Sequence, residues 1–266
     1  LAATLDDVQR FHATYYQPDN ALLVVAGGFD PAACDGWIDR YFGPVPAPAT
    51  PVPRVQVTEP PLARDARVRM RAPNVPLPAL ALLWQGPPAR HPDAPALEVA
   101  AALLSSGESS RMNQALVYRA QAAQSAGLYA DLLADGGMLA AYAIAAHGRP
   151  LAALERGLMA ELRRLAEGPL PADELDKVRT QLLTGALLAR QTPGGLAGEV
   201  GRAGLLLGDV AEAQRTLDRL QAVGPADIRR AVRRWMLQAR RVALQYTAEP
   251  PPPDGRAAAG AGRGVA

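Results

Sequence analysis

Apolar positions in this chain recur with a period near 3.6 in some stretches and near 2 in others, and the changes of period mark its elements. At the start, Val8, Phe11, His12 and Tyr15 follow helical spacing behind Thr4, Asp6 and Asp7, which supply a cap and first-turn acids. QPDN breaks that helix, and the apolar run ALLVVAGGF, Ala21 to Phe29, reads as a short buried strand. Pro31 opens a second helix with Trp37, Ile38 and Tyr41 on one side. A helix, strand, helix unit of this size cannot bury a core by itself.

The stretch PVPAPATPVPRVQVTEPPL carries no periodicity and much proline, so it is expected to be an extended, stiff linker. The region after it has the signals of a whole domain. ARVRMRAP and LPALALLWQGPP predict two strands, and PDAPALEVAAALLSSG predicts a helix between Asp93 and Gly107. SSRMNQALVYRAQ predicts a helix capped by Ser109 or Ser110. AGLYADLLADGGMLAAYAIAAHG predicts two strands turned at Asp135, Gly136 and Gly137. Helices follow over LAALERGLMAELRRLAEG, from PADE to about Gln191, over AEAQRTLDRLQAV and over GPADIRRAVRRWM, with RRVALQYT as a last strand. Strands, helices, a hairpin, more helices and a strand, in that order, predict an α+β fold with helices packed on one face of a mainly antiparallel sheet. The expected organisation is a remnant over 1–43, the linker over 44–64, the main domain over 65–248 and a low-complexity, mobile tail over 249–266.

The two ends resemble one another. Asp7 and Val8 match Asp227 and Ile228, Tyr15 matches Trp235, and Leu22 and Val24 match Val242 and Leu244, all about 220 residues apart. Each copy is an acid-capped helix with an aromatic near its end, a short turn and an apolar strand. The first copy is expected to close a domain that is mostly absent, the second to close the domain that is present.

Composition narrows the function. The chain has 28 Lys and Arg against 26 Asp and Glu, for a net charge of +2, and no clustered basic stripe of the kind that tracks phosphates, so no nucleic-acid partner is expected. Arg229, Arg230, Arg233 and Arg234 read as a solvated helix face. Cys34 is the single cysteine, which excludes an internal disulfide and a thiolate metal cluster. No apolar run is long enough for a membrane span. The compartment, periplasm or cytoplasm, stays open.

Four stretches carry a resemblance to the pitrilysin family of zinc peptidases, which includes insulin-degrading enzymes and mitochondrial processing peptidases. They are YYQPDNALLVVAGGFDP with IDRYFGPVP, SSGESSRMNQALV, ELRRLAEGPLPADELDKVRTQLL and VGPADIRRAVRRWM. The resemblance implies a two-layer α/β sandwich, two such halves facing across a chamber for an extended peptide, and a catalytic zinc in one half only. The zinc half carries His-x-x-Glu-His, whose two histidines share a helix face while the glutamate takes a proton from metal-bound water. This chain has no such motif: His12, His91 and His147 lie far apart, and on PALEVAAALLSSG only Glu98 could ligate a metal. The chain is therefore expected to hold no cofactor itself, with zinc in a missing N-terminal half or on a partner subunit.

The resemblance also implies site residues. In active relatives the non-zinc half often contributes an arginine and a tyrosine that hydrogen-bond the scissile carbonyl. Here Val117 falls where the arginine would be and Gln124 where the tyrosine would be, leaving Arg119 or Tyr118 to substitute after a small shift, with Tyr129 nearby. Gly107, Ser109, Ser110 and Arg111 match the family's Gly-x-x-Ser-Arg segment and are expected to be structural. Glu108, Glu161 and Glu174 read as unpaired polar helix positions. The run Gly195, Gly198, Gly201 and Gly204 reads as close helix packing or a hinge and not as a phosphate loop, because no strand precedes it. The expectation is an inactive half forming one wall of a peptide chamber, taking unstructured peptides as extra strands on a sheet edge. The competing expectation is a catalytically dead assembly subunit of the same fold.

Overall fold

The computed structural model describes residues 3–48, 50–54 and 56–249. The low-complexity tail from Pro250 onward lies outside the described residues, so the mobility expected of it is not addressed by the structure. Five strands form one sheet: β1 (Ala66–Ala72), β2 (Ala79–Gly86), β3 (Ala123–Leu132), β4 (Gly137–Ala145) and β5 (Val242–Ala248). Their spatial order is β1-β5-β2-β4-β3, with β1 parallel to β5 and every other pairing antiparallel. This is the expected α+β architecture.

Helices cover one face of the sheet. On that face Leu80, Leu82 and Trp84 of β2 alternate with the half-buried Ala81 and Leu83, and Leu139, Ala141, Ala143 and Ala145 of β4 are buried in register with them. The helix α3 (Ala94–Ser105) lies in the middle of the layer and is apolar nearly all round, as a helix enclosed by both sheet and helices must be. Around it lie α4 (Leu151–Glu167), α5 (Ala172–Ala189), α7 (Glu212–Ala222) and α8 (Pro225–Val232). The α4 residues Leu154, Leu158, Leu162 and Leu165 keep the spacing of one buried stripe. A π-helical stretch, Asn113–Arg119, stands where a helix was expected, and α6 (Pro193–Arg202) continues into another at Ala203–Leu207.

Among the described residues no helix covers the other face of the sheet. Tyr129, Met138, Tyr142, Ile144, Tyr246, Val68 and Met70 are all exposed there, in four successive rows of that face across β3, β4, β5 and β1. A contiguous apolar surface of this kind marks an interaction site.

The N-terminal unit differs from expectation in one element. The helix α1 (Leu5–Tyr15) starts at Thr4, whose hydroxyl accepts the Asp7 N–H while the Asp7 carboxylate accepts the Thr4 N–H, a reciprocal cap. The second helix, α2 (Pro31–Tyr41), is capped by Asp30. Between them Ala21–Phe29 is not a strand. Its repeat counterpart, β5, pairs with β1 and β2, whereas no strand among the described residues offers Ala21–Phe29 a ladder. The segment instead runs along the end of α6 and the π-helical stretch after it, where a Cβ on Gly204 would come within 2.6 Å of Leu22 Cδ2 and one on Gly201 within 3.7 Å of Val24 Cγ2. Of the glycine run, Gly204 therefore makes room for a close approach, of an extended segment and not of a second helix, whereas Gly198 faces open space. No residue of α1 or α2 is buried, so the apolar stripe of Leu5, Val8 and Phe11 and the side chains of Trp37 and Tyr41 are uncovered.

Residues 44–64, where described, contain neither helix nor strand. Near their end, Gln85 on the bare sheet face accepts the Leu62 N–H and donates to the Pro60 carbonyl, at 3.1 and 2.9 Å.

Candidate functional site

The segment following α3 is built as a clamp. Gly107 adopts φ +76°, a left-handed turn that glycine enters without strain. Its carbonyl accepts the Asn113 side-chain amide at 3.0 Å, and Asn113 also donates to the buried Ser110 hydroxyl at 3.1 Å. Ser110 thus holds a side chain and not a helix-end N–H, and Ser109 accepts from Lys177 of α5 at 2.8 Å. Arg111 makes a two-pronged contact with Glu174, Nε to Oε1 at 2.7 Å and Nη2 to Oε2 at 2.6 Å, and Nη2 also donates to the Pro169 carbonyl. The hydrogen bonds to Glu174 raise the Arg111 pKa further above its already high value, with burial opposing. Glu174 is accordingly not an unpaired helix position, and neither is Glu161, which is buried and bridged to Arg164.

The four residues with a possible role at the peptide do not form one cluster. Arg119 ends the π-helical stretch and lines a surface hollow against α4 with Gly157, Glu161 and Arg164. Tyr118 is half exposed; partial desolvation and the carboxylate of Glu108 raise its pKa. Tyr129 stands on the bare sheet face opposite Ala140, and Gln124 sits at the bulge between Ala123 and Ser125 where β3 begins. Among the described residues no hydrogen bond joins any two of these four.

The adjacent edge of the sheet is partly closed. Ser105, the last residue of α3, donates its hydroxyl to the Leu128 carbonyl at 3.0 Å and accepts the Leu128 N–H. Those two backbone groups face outward from edge strand β3, so an added strand would meet Ser105 there. At the other edge, no hydrogen bond of the described residues uses the outward side of β1.

The residues of α3 do not fit a zinc ion. Zinc needs three or more nitrogen, sulfur or oxygen ligands from the protein. Glu98 is the sole donor of that type on the helix, and no group of three His, Cys, Asp or Glu converges anywhere among the described residues. The histidines serve elsewhere: His12 stacks on Tyr16 in α1, His91 Nδ1 accepts the Asp93 N–H, and His147 is exposed after β4.

Asp93 has a role that its place before a helix concealed. It makes no cap. Its buried carboxylate accepts from Arg230 Nε and Nη2 at 3.2 and 3.0 Å and from Trp235 Nε1 at 3.0 Å, with Arg234 at 3.7 Å. Burial alone would raise its pKa, but the bonds from Trp235 and Arg230 and the charges of Arg230 and His91 hold it below the ordinary carboxylate value. Arg230 also reaches Asp227, and Arg229 donates to the Gly168 carbonyl, so the arginine row is in large part a docking row and not a solvated face. The acid-and-tryptophan pairing lies about 140 residues apart in sequence, and no local signal announces it.

Comparison with known proteins agrees with this geometry. The family described as the peptidase M16 inactive domain matches residues 2–182. A zinc protease named PqqE from Helicobacter pylori is 30% identical over 182 residues, which is 66% of this chain and 40% of that protein. The crystal structure of a protease from Helicobacter pylori superposes with a TM-score of 0.87 at 22% identity, covering 92% of this chain and 59% of the other. The peptidase M16 inactive domain from Pseudomonas fluorescens superposes with a TM-score of 0.76 at 17% identity, over 93% of this chain and 58% of the other. The chain thus spans about two fifths of the curated zinc protease. With the pitrilysin-like motifs, the sandwich and a family match over most of its length, this chain belongs to the M16 peptidase family as one of its inactive domains.

Proposed function

We propose that this chain is the non-catalytic half of a zinc endopeptidase and forms one wall of its peptide chamber. The zinc would come from an N-terminal half or from a partner subunit. The carrying observation is the surface left uncovered: the apolar sheet face from Tyr129 to Met70 together with the bare stripes of α1 and α2. Apolar surface of that extent is stabilised by a matching surface, and the N-terminal unit repeats the closing elements of a second sandwich. Peptides would be held through the backbone, with the free edge of β1 as the site of strand addition and Tyr118, Arg119, Tyr129 and Gln124 as candidate polar contacts around β3, at the opposite end of the sheet. The boundaries at 43, 64 and 248 are part of the same proposal.

The assembly-subunit reading has two supports. Ser105 occupies the β3 edge, and Gln124 and Val117 stand where a carbonyl-binding pair would stand. Both readings require a partner half, and the peptide-cleavage measurement separates them.

The shared requirement is testable by assembly. In sedimentation velocity the chain is expected to form a stable one-to-one complex with a zinc-bearing M16 half. Tyr142→Asp combined with Ile144→Asp should weaken it about tenfold or more, because two charges would be buried without partners. A complex indifferent to these substitutions would show that the bare face is not the contact.

A further inference from the structure

A cavity of about 410 Å³ lies between α3, α5, α6 and α7, with Leu132 of β3 among its lining residues. Its walls are mostly apolar, from Ala186, Leu206, Leu217 and Leu220 among others. That volume is at the low end of the roughly 300–1,000 Å³ typical of small-molecule sites. Four charged residues reach it. Glu199 is engaged by Arg190 at 2.6 and 2.7 Å, and Arg219 is bound to Glu212. The remaining two, Glu98 and Arg202, make no hydrogen bond or ion pair with any described residue, although each feels the other's charge. An apolar cavity flanked by a half-buried, unpaired carboxylate and an exposed, unpaired guanidinium has a definite complement: a small apolar molecule that carries both a cationic donor and an anionic acceptor.

We infer that this cavity is a binding site for a small apolar zwitterion, an aliphatic amino acid or dipeptide, with its ammonium on Glu98 and its carboxylate on Arg202. Burial raises the Glu98 pKa, with Arg202 opposing, which is the condition of a carboxyl that lacks a partner and gains from an arriving ammonium. The inference does not depend on the chain's place in a peptidase, so it stands or falls apart from the proposal above.

Titration calorimetry of the full chain with L-leucine and with leucyl-leucine tests it, alongside leucinamide, which lacks the carboxylate, and 4-methylpentanoate, which lacks the amine. The expected result is saturable one-to-one binding of at least one zwitterion. Loss of either ligand charge, Glu98→Gln or Arg202→Gln should each weaken that binding about tenfold or more, the worth of a charge-assisted hydrogen bond. Glu98→Gln removes a half-buried carboxyl that no described residue pairs and should melt no lower than the parent chain, so loss of binding in that variant reports the site and not unfolding. Absence of saturable binding to the folded chain would overturn the inference. So would equal binding of leucine, leucinamide and 4-methylpentanoate, or binding unchanged in both variants.

Discussion

Asp93→Ala is expected to destabilise the chain by about 3 kcal/mol, read as a lower urea midpoint, because it removes a buried acceptor and strands its donors. The Asp93 side chain is 4% exposed, and it ties the start of α3 to α8 and to the π-helical stretch Arg233–Leu237 that carries Trp235. Removing it leaves the Trp235 indole N–H without a partner, whereas Arg230, 53% exposed, keeps water and Asp227. The loss therefore comes mainly from the buried end of the network. Asp93→Asn retains the shape and one acceptor oxygen but not the charge, and should lose about half as much. The pH dependence has a fixed sign. The folded-state pKa of Asp93 is depressed, so its contribution is present above the ordinary value of 3.8 and is lost as pH falls through the lower folded value. The stability gap between parent and Asp93→Ala should accordingly be full at pH 7 and narrow below pH 3.8. A gap unchanged at low pH would mean that the carboxylate charge contributes nothing.

Arg111→Ala is expected to cost about 2 to 3 kcal/mol, since it leaves Glu174 as a mostly buried carboxylate without its cation. The Arg111 and Glu174 side chains are only 12% and 23% exposed, so solvent screens this pair little. Arg111→Lys should recover less than half of the loss, because one ammonium cannot make two parallel bonds to a carboxylate. A double-mutant cycle with Glu174→Gln measures the pair directly. A coupling of about 1.5 kcal/mol or more is expected; additivity would show that the two-pronged contact does not stabilise the fold. Functionally, the clamp fixes the loop from Gly107 to Arg111 on the start of α5, and with it the π-helical stretch that carries Tyr118 and Arg119.

Much of the fold was legible in the sequence because its elements carry their own signals. The alternation in LPALALLWQGPP, the Asp-Gly-Gly turn and the four leucines of α4 each define an element without outside help. Most of the failures share one physical origin, the long-range partner, although Glu161 is bridged locally by Arg164. Ala21–Phe29 has the composition of a strand but no strand beside it, so its backbone stays extended and unladdered. Asp93 sits where a cap belongs, yet the donors that claim it come from residues 230 and 235. Glu174 looked like a solvated position because Arg111 is 63 residues away. The candidate site was legible only in part for the same reason. The lack of a metal motif on α3 could be read from spacing, whereas the capture of Leu128 by Ser105 depends on how a helix end meets a sheet edge.

The proposed role of this domain is to supply a wall and not the chemistry. The most direct test is cleavage of a quenched, unstructured peptide in the presence of zinc, by the chain alone and by the chain with a zinc-bearing M16 half. The account predicts no hydrolysis by the chain alone and hydrolysis by the assembled pair above that of the zinc half alone. Zinc-dependent hydrolysis by this chain alone would contradict it.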